Sequence, residues 1–149
     1  MGRVIKFTMY GKPIPQKRPR HSQRGQGTTY NPQAKEKRDQ QFLLKTYTHM
    51  FPTLKESLLC GPISVDITFF MKLPKTKACL KTKDLFHTSK PDLDNLLKFA
   101  LDVMTDVIYA DDSYIYKINA SKKYSHNPRT EVTVTEEVQE LIDWKELNA

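Results

Sequence analysis

Pro91 opens a stretch in which Leu93, Leu96, Leu97, Ala100, Leu101 and Met104 recur at intervals of three and four. That period places them along one side of an α-helix and requires a core for the stripe to face. A proline suits such a start, because the first turn of a helix leaves its N–H groups without intrahelical acceptors. The other strong signal is ISVDITFFMKL, residues 63–73, rich in the β-branched and aromatic residues that favour a strand. One amphipathic helix and one apolar strand point to a layered fold that mixes both kinds of element.

The remaining segments fill in around these two. VIKFTMYGKP reads as an opening strand that ends at Gly11 and Pro13. Residues 12–30 hold three prolines, two glycines and the basic residues Lys12, Lys17, Arg18, Arg20 and Arg24, with His21 among them; this predicts a long basic loop. Asn31-Pro32 marks a helix start, and good helix formers run from Gln33 to about Met50. Gly61-Pro62 punctuates, and PKTKACLKTKDLFHTSK is lysine-rich and irregular. VIYADDS reads as a turn after a short extended piece. SYIYKINASKKYS and TEVTVTE read as two closing strands joined near Asn127-Pro128. Glu136 to Leu147 has a terminal helix pattern, with Val138, Leu141, Ile142 and Trp144 on its apolar face. The expected order is β-α-β-α-β-β-α. The fold class is α/β, with α+β as the alternative: a small mixed sheet flanked by helices.

The 149 residues suit a single domain spanning 1–149 with one core. No signal peptide and no membrane-spanning apolar run is read, so a cytoplasmic protein is expected. Cys60 and Cys79 fit no zinc or redox spacing and read as reduced thiols. The net charge of +7 suggests a polyanionic partner, nucleic acid before membrane surface.

Against that positive background, residues 89–115 carry six aspartates. Asp92 falls at the N-cap of the predicted helix, and Asp94, Lys98 and Asp102, spaced by four, share one face. Capping, the helix dipole and an i,i+4 ion pair are the ordinary uses of such residues. Asp111 and Asp112 change the balance. The turn before them is short, so the chain is expected to fold back beside the N-terminal end of the helix. Carboxylates gathered in one place repel unless they share a cation. Carboxylate oxygens, water and a substrate phosphate together describe a magnesium site. The spacing is not that of an EF-hand, and no phosphate-binding glycine loop occurs, so no nucleotide cofactor is expected. Lys98 can offset charge that builds on a phosphate or orient the attacking water. Asn95 can position Asp92 or a substrate oxygen.

KPDLDNLLKFALD followed by a nearby DD resembles the RusA family of Holliday junction resolvases, found in prophages and bacteria. YGKPIPQKRPR and TTYNP are similar to that family's basic opening segment, so the likeness runs from Tyr10 to about Lys123. It implies a small α/β subunit that acts as a homodimer and cuts four-way DNA junctions by paired symmetric nicks, in recombination and repair. The cofactor implied is Mg2+, with Mn2+ as a substitute. Asp92, Asp94 and Asp112 match the family's metal-binding carboxylates, and Lys98 its essential lysine. Asp111 is the alternative member of its pair, and Asp102 matches a position that would hold Lys98.

Lys12, Lys17, Arg18, Arg20, Arg24 and Lys90 are the candidate contacts to DNA phosphates. Lys75, Lys77, Lys81 and Lys83 form a second basic group with Lys90, and Lys122 and Lys123 a third. His87 reads as a loop residue. Two other readings stay open: a nuclease for other branched DNA, and a non-catalytic junction-binding protein.

Overall fold

A computed structural model describes residues 2–17, 20–21, 29–30, 32–48, 51, 57–75 and 85–138. Strands β1 (Val4–Tyr10), β4 (Ile63–Lys72), β5 (Ile115–Ser125) and β6 (Arg129–Glu136) form one sheet. Its order is β1-β6-β4-β5. β6 runs antiparallel to both β1 and β4, and β4 runs parallel to β5, so the sheet is mixed. Among the described residues two helices, α1 (Ala34–Thr48) and α2 (Leu93–Met104), complete an α+β fold. A further pair of two-residue strands, β2 (Arg20–His21) and β3 (Thr29–Tyr30), stands apart as a small antiparallel ribbon. The basic loop expected at 12–30 therefore has structure of its own. Strands of two residues are too short to show a period.

Alternation decides which face of the sheet is buried. On β4 the side chains of Ile63, Val65, Ile67, Phe69 and Met71 are buried, while Asp66 and Lys72 are exposed. Register carries this pattern sideways: Ile5 pairs with Val134 and Val134 with Val65; Phe7 pairs with Val132 and Val132 with Ile67. These rows meet Leu96, Phe99, Ala100, Val103 and Met104 of α2 in one cluster, to which α1 adds Leu44. Each such side chain contributes about 1.5–3 kcal/mol when taken out of water. Lys6, Thr8, Asp66, Thr68, Glu131 and Thr133 line a polar recess on the sheet.

The two closing strands join where the sequence indicates, at 126–128, but they are not neighbours. β4 lies between them. The connection therefore spans two strand spacings, about 10 Å. Arg129 braces it: Nη1 donates to Ser125 Oγ (3.1 Å) and to Asn127 O (2.9 Å), Nε bonds Glu131 (2.8 Å), and the guanidinium lies 3.8 Å from the Phe70 ring centroid.

A second brace joins the far ends of the chain. Glu136 accepts from Arg3 Nε at 3.0 Å and Nη2 at 3.2 Å, and from the backbone N–H groups of Cys60 at 2.9 Å and Gly61 at 3.3 Å. Glu136 thus ends β6, where the sequence suggested the start of a terminal helix. Glu137 and Val138 follow it exposed and without helical structure, and the later positions of the expected helix, Leu141, Ile142 and Trp144 among them, lie outside the described residues. Among the described residues no helix is long and apolar enough to cross a membrane.

Candidate active site

The first turn of α2 presents its polar groups outward. Asp92 has the extended backbone of an N-cap residue (φ −68°, ψ 145°), yet its side chain makes no capping hydrogen bond. Asp94 is exposed in the first turn, and Lys98 is exposed one turn later on the same face. Among the described residues, Lys98 forms no ion pair with Asp94 or Asp102. The ordinary uses of Asp92 as a cap and Lys98 as a surface ion-pair partner are not taken up. Leu93 and Leu97 pack partly buried and Leu96 fully buried against the core, so the face that carries these groups is fixed.

The root of the basic arm is bolted to this turn. Gln16 N–H donates to Asn95 O at 2.9 Å. Gln33, only 1% exposed, bridges the arm from the start of α1: its Nε2 donates to Pro15 O at 2.7 Å, and its Oε1 accepts from Lys17 N–H. Lys12 and Lys17 are exposed beside α2, and Lys17 Nζ stands 3.9 Å from Glu36. Asn95 thus serves the arm through its main chain, a role its side chain does not announce. Gln33 carried no sequence signal beyond its place at a helix start. Arg18 and Arg24 lie outside the described residues, as do Lys77, Lys81, Lys83 and Cys79. Arg20 is described only as backbone, in β2. Lys75 and Lys90 are exposed, and Lys90 precedes Asp92 by two positions.

The second acidic pair sits elsewhere. After α2, Val107, Ile108 and Tyr109 plug the core instead of forming a surface turn; Ile108 and Tyr109 are completely buried. The Tyr109 hydroxyl donates to Leu101 O at 2.7 Å, and Leu59 brackets the segment by accepting from Ala110 N–H and donating to Ile108 O. Burial pushes the Tyr109 phenol far above its usual range. This anchoring leaves Asp111 and Asp112 near the C-terminal end of α2, not beside its N-terminal end as expected. Asp102 lies close enough to act on Asp112. Asp94 and Asp102 are themselves about 12 Å apart along the axis at 1.5 Å per residue.

Asp111 caps the short 3-10 turn Asp112–Tyr114 by accepting from Ser113 N–H at 2.9 Å. That bond holds its carboxyl below the usual range. Asp112 is raised, by desolvation first and then by its hydrogen bond and repulsion with Asp111. Of the pair, Asp111 is the one committed to the turn.

His87 is the loop residue that the sequence indicates, but it is packed, and Lys122 has a role that the sequence does not announce. His87 is 9% exposed; its N–H donates to Lys122 O at 3.1 Å and its ring lies 4.7 Å from that of Tyr124. Burial, and then the Lys122 charge, lower its pKa from the usual histidine value. The Lys122 ammonium donates at 2.7 Å to both Ser89 O and Pro91 O. It is thus tied to the protein's own backbone.

Exposed carboxylates suit magnesium or manganese in kind. Among the described residues no three His, Cys, Asp or Glu side chains stand together as a group able to hold a metal ion.

The sequence profile of the family described as Endodeoxyribonuclease RusA matches residues 10–135. The chain is 36% identical over 139 residues to the uncharacterized protein YqaN of Bacillus subtilis (strain 168), covering 89% of this chain and 96% of that one. It is 38% identical over 76 residues to the crossover junction endodeoxyribonuclease rusA of Lactococcus phage r1t, covering 50% of this chain and 55% of the phage protein.

Proposed function

Since the chain belongs to the RusA endodeoxyribonuclease family, we propose that it is a cytoplasmic, metal-dependent nuclease that resolves four-way DNA junctions by paired symmetric nicks. One observation carries the reading. Asp92, Asp94 and Lys98 stand exposed on one end of α2, and the same turn is hydrogen-bonded to the root of the basic arm through Gln16 and Asn95. Groups suited to phosphodiester hydrolysis and groups suited to phosphate binding thus share one anchor.

Asp92, Asp94 and Asp112 are the residues that would hold Mg2+ or Mn2+, which when bound polarises the scissile phosphate and lowers the pKa of a water. Lys98 offsets negative charge growing on the phosphate. Lys12, Lys17, Lys90 and the arginines of the arm contact the DNA backbone, which favours selection by shape over sequence. A second copy that supplied its own Asp112 beside Asp92 and Asp94 would close the gap between the two acidic groups, and a twofold homodimer also matches a substrate that needs two opposed cuts. Prophage recombination is the setting that this reading suits.

The test is cleavage of a synthetic four-way junction, beside linear duplex and a flap, with Mg2+ or with EDTA, for the wild type and Asp94→Asn. Paired nicks in the junction alone, lost with EDTA and in the variant, are expected. Junction binding without cleavage would replace the nuclease by a non-catalytic junction-binding protein. Preference for the flap would make it a nuclease for other branched DNA.

A further inference from the structure

β5 is an edge strand of its sheet, but its open side is covered at Lys122–Tyr124. Tyr124 N–H donates to Leu85 O at 2.9 Å and His87 N–H to Lys122 O at 3.1 Å, so Leu85–His87 lies along β5 as a short antiparallel companion. From there the chain has only a few residues before Asp92. Lys122 controls that interval. Its ammonium is held by Ser89 O and Pro91 O, both at 2.7 Å, on either side of the exposed Lys90. Among the described residues Lys122 has no carboxylate partner. A lysine so used spends its charge on main-chain carbonyls, which makes strong, directional bonds. It does this beside a helix N-terminus, where a cation is unfavourable unless something negative gathers there. Asp92 and Asp94 are the groups that do.

We propose that Lys122 is a positioning residue for the carboxylates of α2: by clasping the Ser89–Pro91 turn to β5, it sets where Asp92 and Asp94 present their oxygens. Lys122 sits in the middle of a paired strand, opposite Phe69 of β4, and the turn it grips runs directly into the N-cap Asp92. The remaining freedom of the turn is the two residues between His87 and Ser89's carbonyl, so removing the ammonium frees the approach to Asp92 without touching the core. This inference rests on the nuclease reading of Asp92 and Asp94.

The test uses the full chain and Mn2+, read by electron paramagnetic resonance, together with junction binding in EDTA and thermal unfolding. Lys122→Met, of similar length and without charge, is expected to weaken Mn2+ binding tenfold or more. Its junction affinity in EDTA should stay within twofold and its salt dependence should not change. Cleavage should recover as Mn2+ is raised, and Lys122→Arg should restore most of the affinity. Should Lys122→Met fail to fold, Lys122→Leu, which also lacks a donor, is held to the same outcomes. Unchanged Mn2+ affinity in a folded variant overturns the proposal. So does a weaker junction complex with a shallower salt slope, which would make Lys122 a phosphate contact. Absence of Mn2+ binding by the wild type would instead overturn the metal reading beneath it, and is seen before any variant is compared.

Discussion

Replacing Glu136 by glutamine tests the brace that joins the first strand, the approach to β4 and the last strand. The carboxylate accepts four hydrogen bonds: Oε1 from Arg3 Nε, and Oε2 from Arg3 Nη2, Cys60 N–H and Gly61 N–H. Its side chain is 17% exposed, so water can replace these contacts only in part. A glutamine amide offers one oxygen. Whichever way it turns, its NH2 group faces a donor, and the charge that strengthened every bond is gone. Hydrogen bonds to charged groups contribute about 1.5–3 kcal/mol, and a net loss of about 2 kcal/mol follows for this partly solvated site. For a chain of 149 residues that corresponds to a midpoint about 4–8 °C lower. The pH dependence gives a second reading. Arg3 and the two backbone N–H groups hold the Glu136 carboxyl below its ordinary value of 4.5. A carboxylate with a depressed folded pKa stabilises above its unfolded pKa and loses that contribution as pH falls through the folded value. The difference between wild type and Glu136→Gln should therefore be full at pH 7 and shrink below about pH 4.5. Urea unfolding at pH 7 and at steps down to about pH 4 measures it. Equal midpoints at pH 7, or a gap that does not narrow on acidification, would refute the reasoning.

Lys98→Met should lower junction cleavage by roughly 100-fold or more while leaving junction affinity in EDTA unchanged; gel-shift and single-turnover assays separate the two. Tyr109→Phe should cost only about 1 kcal/mol, because Leu101 O keeps the Thr105 hydroxyl at 2.9 Å and the Thr105 N–H at 3.2 Å; a loss of several kcal/mol in urea unfolding would contradict this. Lys12→Gln combined with Lys17→Gln should flatten the dependence of log affinity on log salt by about two units if both side chains meet phosphates. Fluorescence anisotropy across a salt series reads that slope, and an unchanged slope removes both from the interface.

The elements with a clear period were readable in advance. The stripe from Leu93 to Met104 and the alternation from Ile63 to Met71 each report one buried face, and burial of a face is what a local pattern encodes. β1, α1, β5 and β6 followed close to their expected bounds. Neighbours were not readable. β4, β5 and β6 are each long enough to pair with either of the others, and pairing is chosen by the whole sheet. The Asp111–Asp112 pair shows the same limit. A short turn allowed a return to the start of α2, but Tyr109 and Leu59 hold it at the other end. The roles of Gln33, Lys122 and the Asn95 carbonyl were hidden for another reason. Each works through main-chain atoms, and every residue type offers the same carbonyl. The exposed carboxylates of Asp92 and Asp94 were legible because their chemistry lies in the side chain.

The strand order also sets when this protein comes into being. A ribosome makes β1 first and β6 last, yet the two lie side by side, with Val4 opposite Thr135. β4 likewise waits for both of its neighbours, which are the last strands to emerge. Until Arg129 and its successors are available, the nascent chain already carries the arm and the aspartates, but it lacks the sheet that aligns them. Such non-local closure folds slowly. A product cut short before β6 lacks the strand that joins β1 to β4, and its chemistry stays unassembled. Any cutting activity therefore arrives with the final strand.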